Sequence, residues 1–140
     1  MRTLLVTIAT VAALLAPAHA IGKGRIESAK KRAAAENKLV AFVVEQDYWD
    51  PACPKCVAAV DGNNGTIKRI APNKNVVVIR LEESDLKKGN VPDCVVKASG
   101  MPRVVITDAG CTKAIDTLGT NADKARLKQM EEKIAAALAK

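Results

Sequence analysis

The sequence predicts an α/β fold, a mixed sheet of four or five strands flanked by helices, and three observations carry that reading. Residues 38–45, 76–81 and 103–107 are short apolar runs rich in valine, the pattern of strands buried on both faces. Segments rich in Ala, Lys and Glu, all strong helix formers, stand at both ends of the folded region. The early strands are separated by connections long enough for helical crossovers, which gives parallel pairing. The late connection Asp108-Ala109-Gly110 is a tight turn and adds an antiparallel hairpin.

Residues 1–20 read as an export signal rather than as part of the fold. Arg2 supplies a positive start, residues 4–15 an apolar run, Pro17 a helix stop and Ala18-His19-Ala20 a small-x-small cleavage site. The run is short for a bilayer span, which takes about 20 residues; a retained N-terminal anchor is the other reading. No cysteine lies near the cut to carry a lipid. Cleavage would leave residues 21–140 as one domain. The product would be periplasmic or secreted, with no stable membrane insertion.

Composition narrows the function. Cleavage removes Arg2 alone among the charged groups, so the net charge of +7 becomes +6. A basic chain can bind nucleic acid, but this one has a single Trp, Tyr and Phe and so almost no stacking platform. Its lysines are spread along helices, and no nucleic-acid partner is expected. The sole histidine, His19, leaves with the signal. That excludes a Cys2His2 zinc site, a copper site and a Cys-His catalytic pair; neither metal nor cofactor is expected. Four cysteines remain, an even number for an oxidising compartment.

Taken in order, residues 24–37 form a helix, 38–45 a strand, and 47–51 an aromatic loop containing Trp49. The motif Cys53-Pro54-Lys55-Cys56 opens a helix that the run Asp61-Gly62-Asn63-Asn64-Gly65 interrupts. Residues 66–71 are expected to add a turn of helix. The second strand, 76–81, leads into a charged connection over 82–90, and Asp93 is placed to cap a brief helix at 94–98. Gly100-Met101-Pro102 precedes the third strand, 103–107; a weaker fourth strand, 114–118, follows and Gly119 ends it. Asn121 or Asp123 then caps a final helix carrying Leu127, Met130, Ile134 and Leu138 on one face.

The chemistry is expected at Cys53 and Cys56. Cys53 falls at a helix N-cap and Pro54 at the first helical position, where a missing N–H costs nothing. Unpaired amides, the helix dipole and Lys55 would all stabilise a thiolate at Cys53. Cys56, one turn on, is placed to resolve a mixed disulfide. An inert disulfide between the two is the competing reading. Half a zinc knuckle is a third, but Cys94 and Cys111 are 17 apart and do not supply the second half.

The order of these pieces resembles the thioredoxin superfamily. The matching segments are VAFVV, the Trp49 loop, CPKC, VVVIR, GMPRVVITD, the hairpin and the last helix, from residue 24 to 140. The resemblance implies a cis-proline at Pro102 facing the CxxC, with Cys53 attacking and Cys56 resolving. Trp49, Pro54, Lys55, Met101 and Pro102 would lie where a client docks. It implies client proteins with thiols or disulfides, and an upstream redox partner. The function expected is thiol–disulfide exchange in either direction. The alternative is a non-catalytic binding module that keeps a structural Cys53–Cys56 bridge.

Three departures matter. Trp49 stands four residues before Cys53 rather than next to it. The buried acid of the first central strand is replaced by Ala41; Glu45 and Asp47 are read as solvated loop-end charges. Only 46 residues separate Cys56 from Pro102, too few for a large helical insert. Cys94 and Cys111 could pair, but the resemblance places the third helix and the hairpin turn apart. A second disulfide and a buried free Cys94 with an exposed Cys111 both stay open, with exchange between Cys94 and the active pair as a further alternative.

Overall fold

Leu39–Glu45 forms β1, and every residue of it except Glu45 is buried. A run of valines with one phenylalanine suits a strand covered on both faces, because branched and aromatic side chains fill the pleat. The structure, a computed structural model, describes residues 23–47, 52, 54, 57–58, 75–119 and 122–140. The export segment, Trp49, Cys53, Lys55, Cys56 and residues 59–74 therefore lie outside the described residues.

β1 is flanked in the sheet by β2, Val76–Glu82, and β3, Arg103–Thr107; β4, Ala114–Gly119, closes one edge, giving the order β2-β1-β3-β4. β1 and β2 run parallel, with Leu39 beside Val76 and Glu45 beside Glu82. β3 is antiparallel to both β1 and β4, with Val44 beside Arg103 and Val104 beside Leu118. The mixed sheet with a late antiparallel half is the one the sequence implies; four strands are found among the described residues.

Period-two alternation sorts the apolar side chains into two cores. Val40, Phe42 and Val44 join Val77, Ile79, Leu81 and Val105 on one face. Helix α1, Lys23–Ala35, covers it with Ile26, Ala29 and Ala33, and the short helix α2, Asp93–Val96, adds Val95. Leu39, Ala41 and Val43 join Val104, Ile106 and Leu118 on the other face. There α3, Lys124–Leu138, covers them with Met130 and Ile134. Leu127 and Leu138 pack at the margin of this second core, so the expected helix face is the buried one.

The helix ends follow local chemistry. Asn37 takes the left-handed conformation, φ 51°, and the Lys38 N–H reaches the Ala33 carbonyl at 2.8 Å, a Schellman ending for α1. Asp123 caps α3, its carboxylate accepting the Arg126 N–H at 2.8 Å; Asn121 lies outside the described residues.

Several local expectations are corrected. Pro92 occupies the N-cap of α2, and Asp93 is the first helical residue, its carboxylate taken by Lys97 at 2.8 Å. Proline holds the extended backbone a cap requires, so no side-chain cap was needed. The connection after β2 holds a 3-10 turn, Glu83–Lys87, organised by Asp85, which accepts the Glu82 N–H and pairs with Lys88. The β3–β4 connection is longer than the tight turn expected of Asp108-Ala109-Gly110. Asp108 accepts the backbone N–H groups of Thr112 and Lys113 and so draws residues 108–113 into one loop. A register shift at Ile106 and Thr107 accommodates the extra length.

Candidate active site

Three features meet at one edge of the sheet. β1 and β2 are parallel, so both end there, and antiparallel β3 begins there. The exits of β1 and β2 are tied together by Arg80 Nη1 on Glu45 at 2.8 Å and by the Ser84 N–H on Asp47 at 2.9 Å. Both carboxylates are engaged at the strand exits. Six residues past Asp47 the chain reaches Cys53.

The Met101–Pro102 peptide is cis, as the resemblance implied, and it stands immediately before β3. The pairing of Val44 with Arg103 sets this step beside the exit of β1. Pro102 is buried, and Met101 is half-buried against the α1-side core. Met101 therefore spends much of its side chain on packing. Pro54 is exposed and helical, as are Val57 and Ala58 in backbone conformation. Trp49, Cys53, Lys55 and Cys56 lie outside the described residues. Among the expected site residues the structure describes Pro54, Met101 and Pro102, and the last two stand at the end of the sheet where β1 exits.

Arg103 is the residue that sequence reasoning missed. It opens an apolar strand and is 3% exposed. Its guanidinium donates to the carbonyls of Gly100 at 2.6 Å, Val95 at 2.8 Å and Val96 at 3.4 Å, while Nε is buried with no partner. Burial pushes this guanidinium below its ordinary value, opposed only by the distant charge of Glu83. Gly100 has φ 87°, a conformation open to glycine, and this turns its carbonyl toward Arg103. One side chain thus ties the end of α2 to the proline step. A charged residue directly after the X-Pro step was the available signal.

Ala41 is fully buried, in a cluster made only of apolar side chains among the described residues. The position that the resemblance assigns to a buried acid is accordingly occupied by a methyl group.

Cys94 and Cys111 contradict the expectation that they lie apart. The Cys94 thiol donates to the Cys111 carbonyl at 3.5 Å, and Cys111 is buried rather than exposed, while Cys94 is half-buried. The longer β3–β4 loop folds back over the α1-side core, which is why the two meet. Burial pushes both thiols above their ordinary value, so both are held protonated.

The strand order, the pairing directions and the proline step at the head of β3 together define a thioredoxin-like α/β fold. No family model matches the chain, and no curated protein matches it. Among solved structures, the chain is similar to a disulphide isomerase from Xylella fastidiosa Temecula1. The alignment covers 90% of this chain and 95% of that one, at 18% identity and a TM-score of 0.47.

Proposed function

We propose that this chain is an exported thiol–disulfide oxidoreductase acting on client proteins through Cys53 and Cys56. The observation that carries the reading is the pairing of Val44 with Arg103. It sets the Met101–Pro102 step beside the strand exit that leads into CPKC. Two thiols spaced by two residues and following a central strand, with such a loop beside that strand's exit, would suit exchange with an extended client backbone.

In the reducing direction the Cys53 thiolate attacks one sulfur of a client disulfide. The client S–S bond breaks, a Cys53–client bond forms, and the other client sulfur leaves as a thiolate. Cys56 then attacks the Cys53 sulfur, releasing the second client thiol and leaving a Cys53–Cys56 disulfide. A redox partner restores the dithiol, and the reverse sequence oxidises a client. Pro54 and Lys55 would flank the attacking thiol, and Trp49, Met101 and Pro102 would contact the client. Residues 1–20 would direct export to a periplasmic or secreted location. Among the described residues no helix is long and apolar enough to cross a membrane.

Ala41 favours a second reading. With alanine at the position where the resemblance expects an acid, proton transfer to and from the resolving thiol would lose that relay. A binding module with a structural Cys53–Cys56 bridge fits that loss. The test is the reduction potential of the Cys53–Cys56 pair, read by glutathione equilibration, alkylation and weighing of the peptides. A value between about −120 and −270 mV supports exchange. A value below about −300 mV, with no mixed disulfide trapped in Cys56→Ser, replaces the enzyme with the binding module.

A further inference from the structure

Cys94 and Cys111 are the one other set of nucleophilic side chains that the described residues bring together. They are 17 apart in sequence, yet the Cys94 sulfur lies 3.5 Å from the Cys111 carbonyl. Both belong to the core on the α1 side, Cys111 within it and Cys94 packed against it. Both are free thiols in this structure; a disulfide needs Cα atoms within about 7 Å, and closing it requires the Cys111 sulfur to turn from its neighbour Thr107 toward Cys94.

A second observation concerns the backbone. Cys111 has φ 56°, in the left-handed region, which residues bearing a Cβ seldom occupy. Turn chemistry favours glycine or asparagine there. Gly110 stands one position earlier and does not adopt a positive φ. The conformation is fixed by Asp108, whose carbonyl accepts the Cys111 N–H at 3.0 Å and whose carboxylate holds Thr112 and Lys113. That conformation carries Cys111 into the core on the α1 side, against which Cys94 packs.

We infer that Cys94 and Cys111 form a second disulfide in the exported protein, a clasp between α2 and the β3–β4 loop. The ring it closes contains Met101, Pro102 and all of β3. The oxidant is a low-molecular-weight or protein disulfide. A thiolate at Cys94 attacks one of its sulfurs, that S–S bond breaks, and one thiolate leaves. The Cys111 thiolate then attacks the Cys94 sulfur and releases the second. Two protein thiols are oxidised, one external disulfide is reduced, and the two protons pass to the departing thiolates. Because burial keeps both thiols protonated, the clasp closes during folding, before the core covers them, and exchanges slowly afterwards. The inference stands apart from the role proposed for Cys53 and Cys56.

The test uses the full chain carrying Cys53→Ser and Cys56→Ser, in which Cys94 and Cys111 are the remaining cysteines. The protein is refolded in a series of reduced and oxidised glutathione, quenched with a maleimide and weighed. The expected product is a monomer that takes up no maleimide. Its thermal midpoint should lie on the order of 10 °C above that of the same protein after reduction. Adding Cys94→Ser should restore one maleimide and abolish the shift. Two maleimides at every glutathione ratio, disulfide-linked dimers, or a bridged form no more stable than the reduced one would each overturn the inference. Peptide mapping of the oxidised wild-type chain checks the bond without substitution. A linked Cys94–Cys111 peptide pair supports it, and linkage of either residue to Cys53 or Cys56 refutes it.

Discussion

Arg103 and Asp116 are two charges that the chain buries at opposite ends of the β3–β4 pairing, and they are handled differently. Among the described residues Arg103 faces carbonyls and no carboxylate within hydrogen-bonding reach. Its worth is geometric, since one planar fork gathers Gly100, Val95 and Val96. Replacing Arg103 by Met leaves those carbonyls without a donor and should cost about 2–4 kcal/mol in urea unfolding. Arg103→Lys should recover only part of that, because an ammonium cannot span the fork. Asp116, 6% exposed, accepts two hydrogen bonds from Arg126 at 2.7 and 2.6 Å and one from Lys133 at 2.9 Å. Burial pushes its carboxyl up, but Arg126 and Lys133 outweigh that and hold it below the ordinary 3.8. A lowered folded value means the stabilisation is fully present above 3.8 and is lost as pH falls through the lowered value. Asp116→Asn should therefore lose about 2 kcal/mol at neutral pH. The gap between variant and wild type should close on acidification, as read by chemical unfolding from pH 7 to pH 2.

At the scale of elements, α3 and β1 show how packing rather than propensity decides stability. Ile134 is buried against the sheet, whereas Lys128, in an exposed ion pair with Glu132 at 3.9 Å, lies on the outer face of the same helix. Ile134→Ala should cost about 3 kcal/mol with an unchanged urea m-value, and Lys128→Ala should leave the midpoint where it was. Phe42, fully buried in β1, should be more costly still, about 3–5 kcal/mol as Ala. The elements were legible in the sequence wherever a long stretch repeated one period, as in the valine runs and α3. They were least legible at short pieces such as α2, where Pro92 rather than Asp93 sets the cap, because a four-residue helix is governed by two or three local bonds.

For the whole molecule, the export reading makes a direct prediction. Expressed in a cell with a functional export pathway, the full chain should be recovered outside the cytoplasm with Ile21 as its N-terminal residue, as shown by intact mass and N-terminal sequencing. Recovery in the membrane fraction with residues 1–20 attached would instead support the anchor. The candidate redox site was legible in part because its signals are local. CPKC follows a buried strand, and Gly100-Met101-Pro102 precedes another. That the Met101–Pro102 step stands beside the exit of β1 depends on the register of Val44 with Arg103, which no local pattern specifies.

The α/β class, the order of elements and the place of CPKC in the chain were legible from the residues alone, because period, composition and spacing act over short stretches of chain. Folding alone revealed that Arg103 is enclosed by three carbonyls and that Cys94 meets Cys111. Each of these depends on residues distant in sequence meeting across a sheet face or a folded loop, and such meetings are set by the packing of the whole chain.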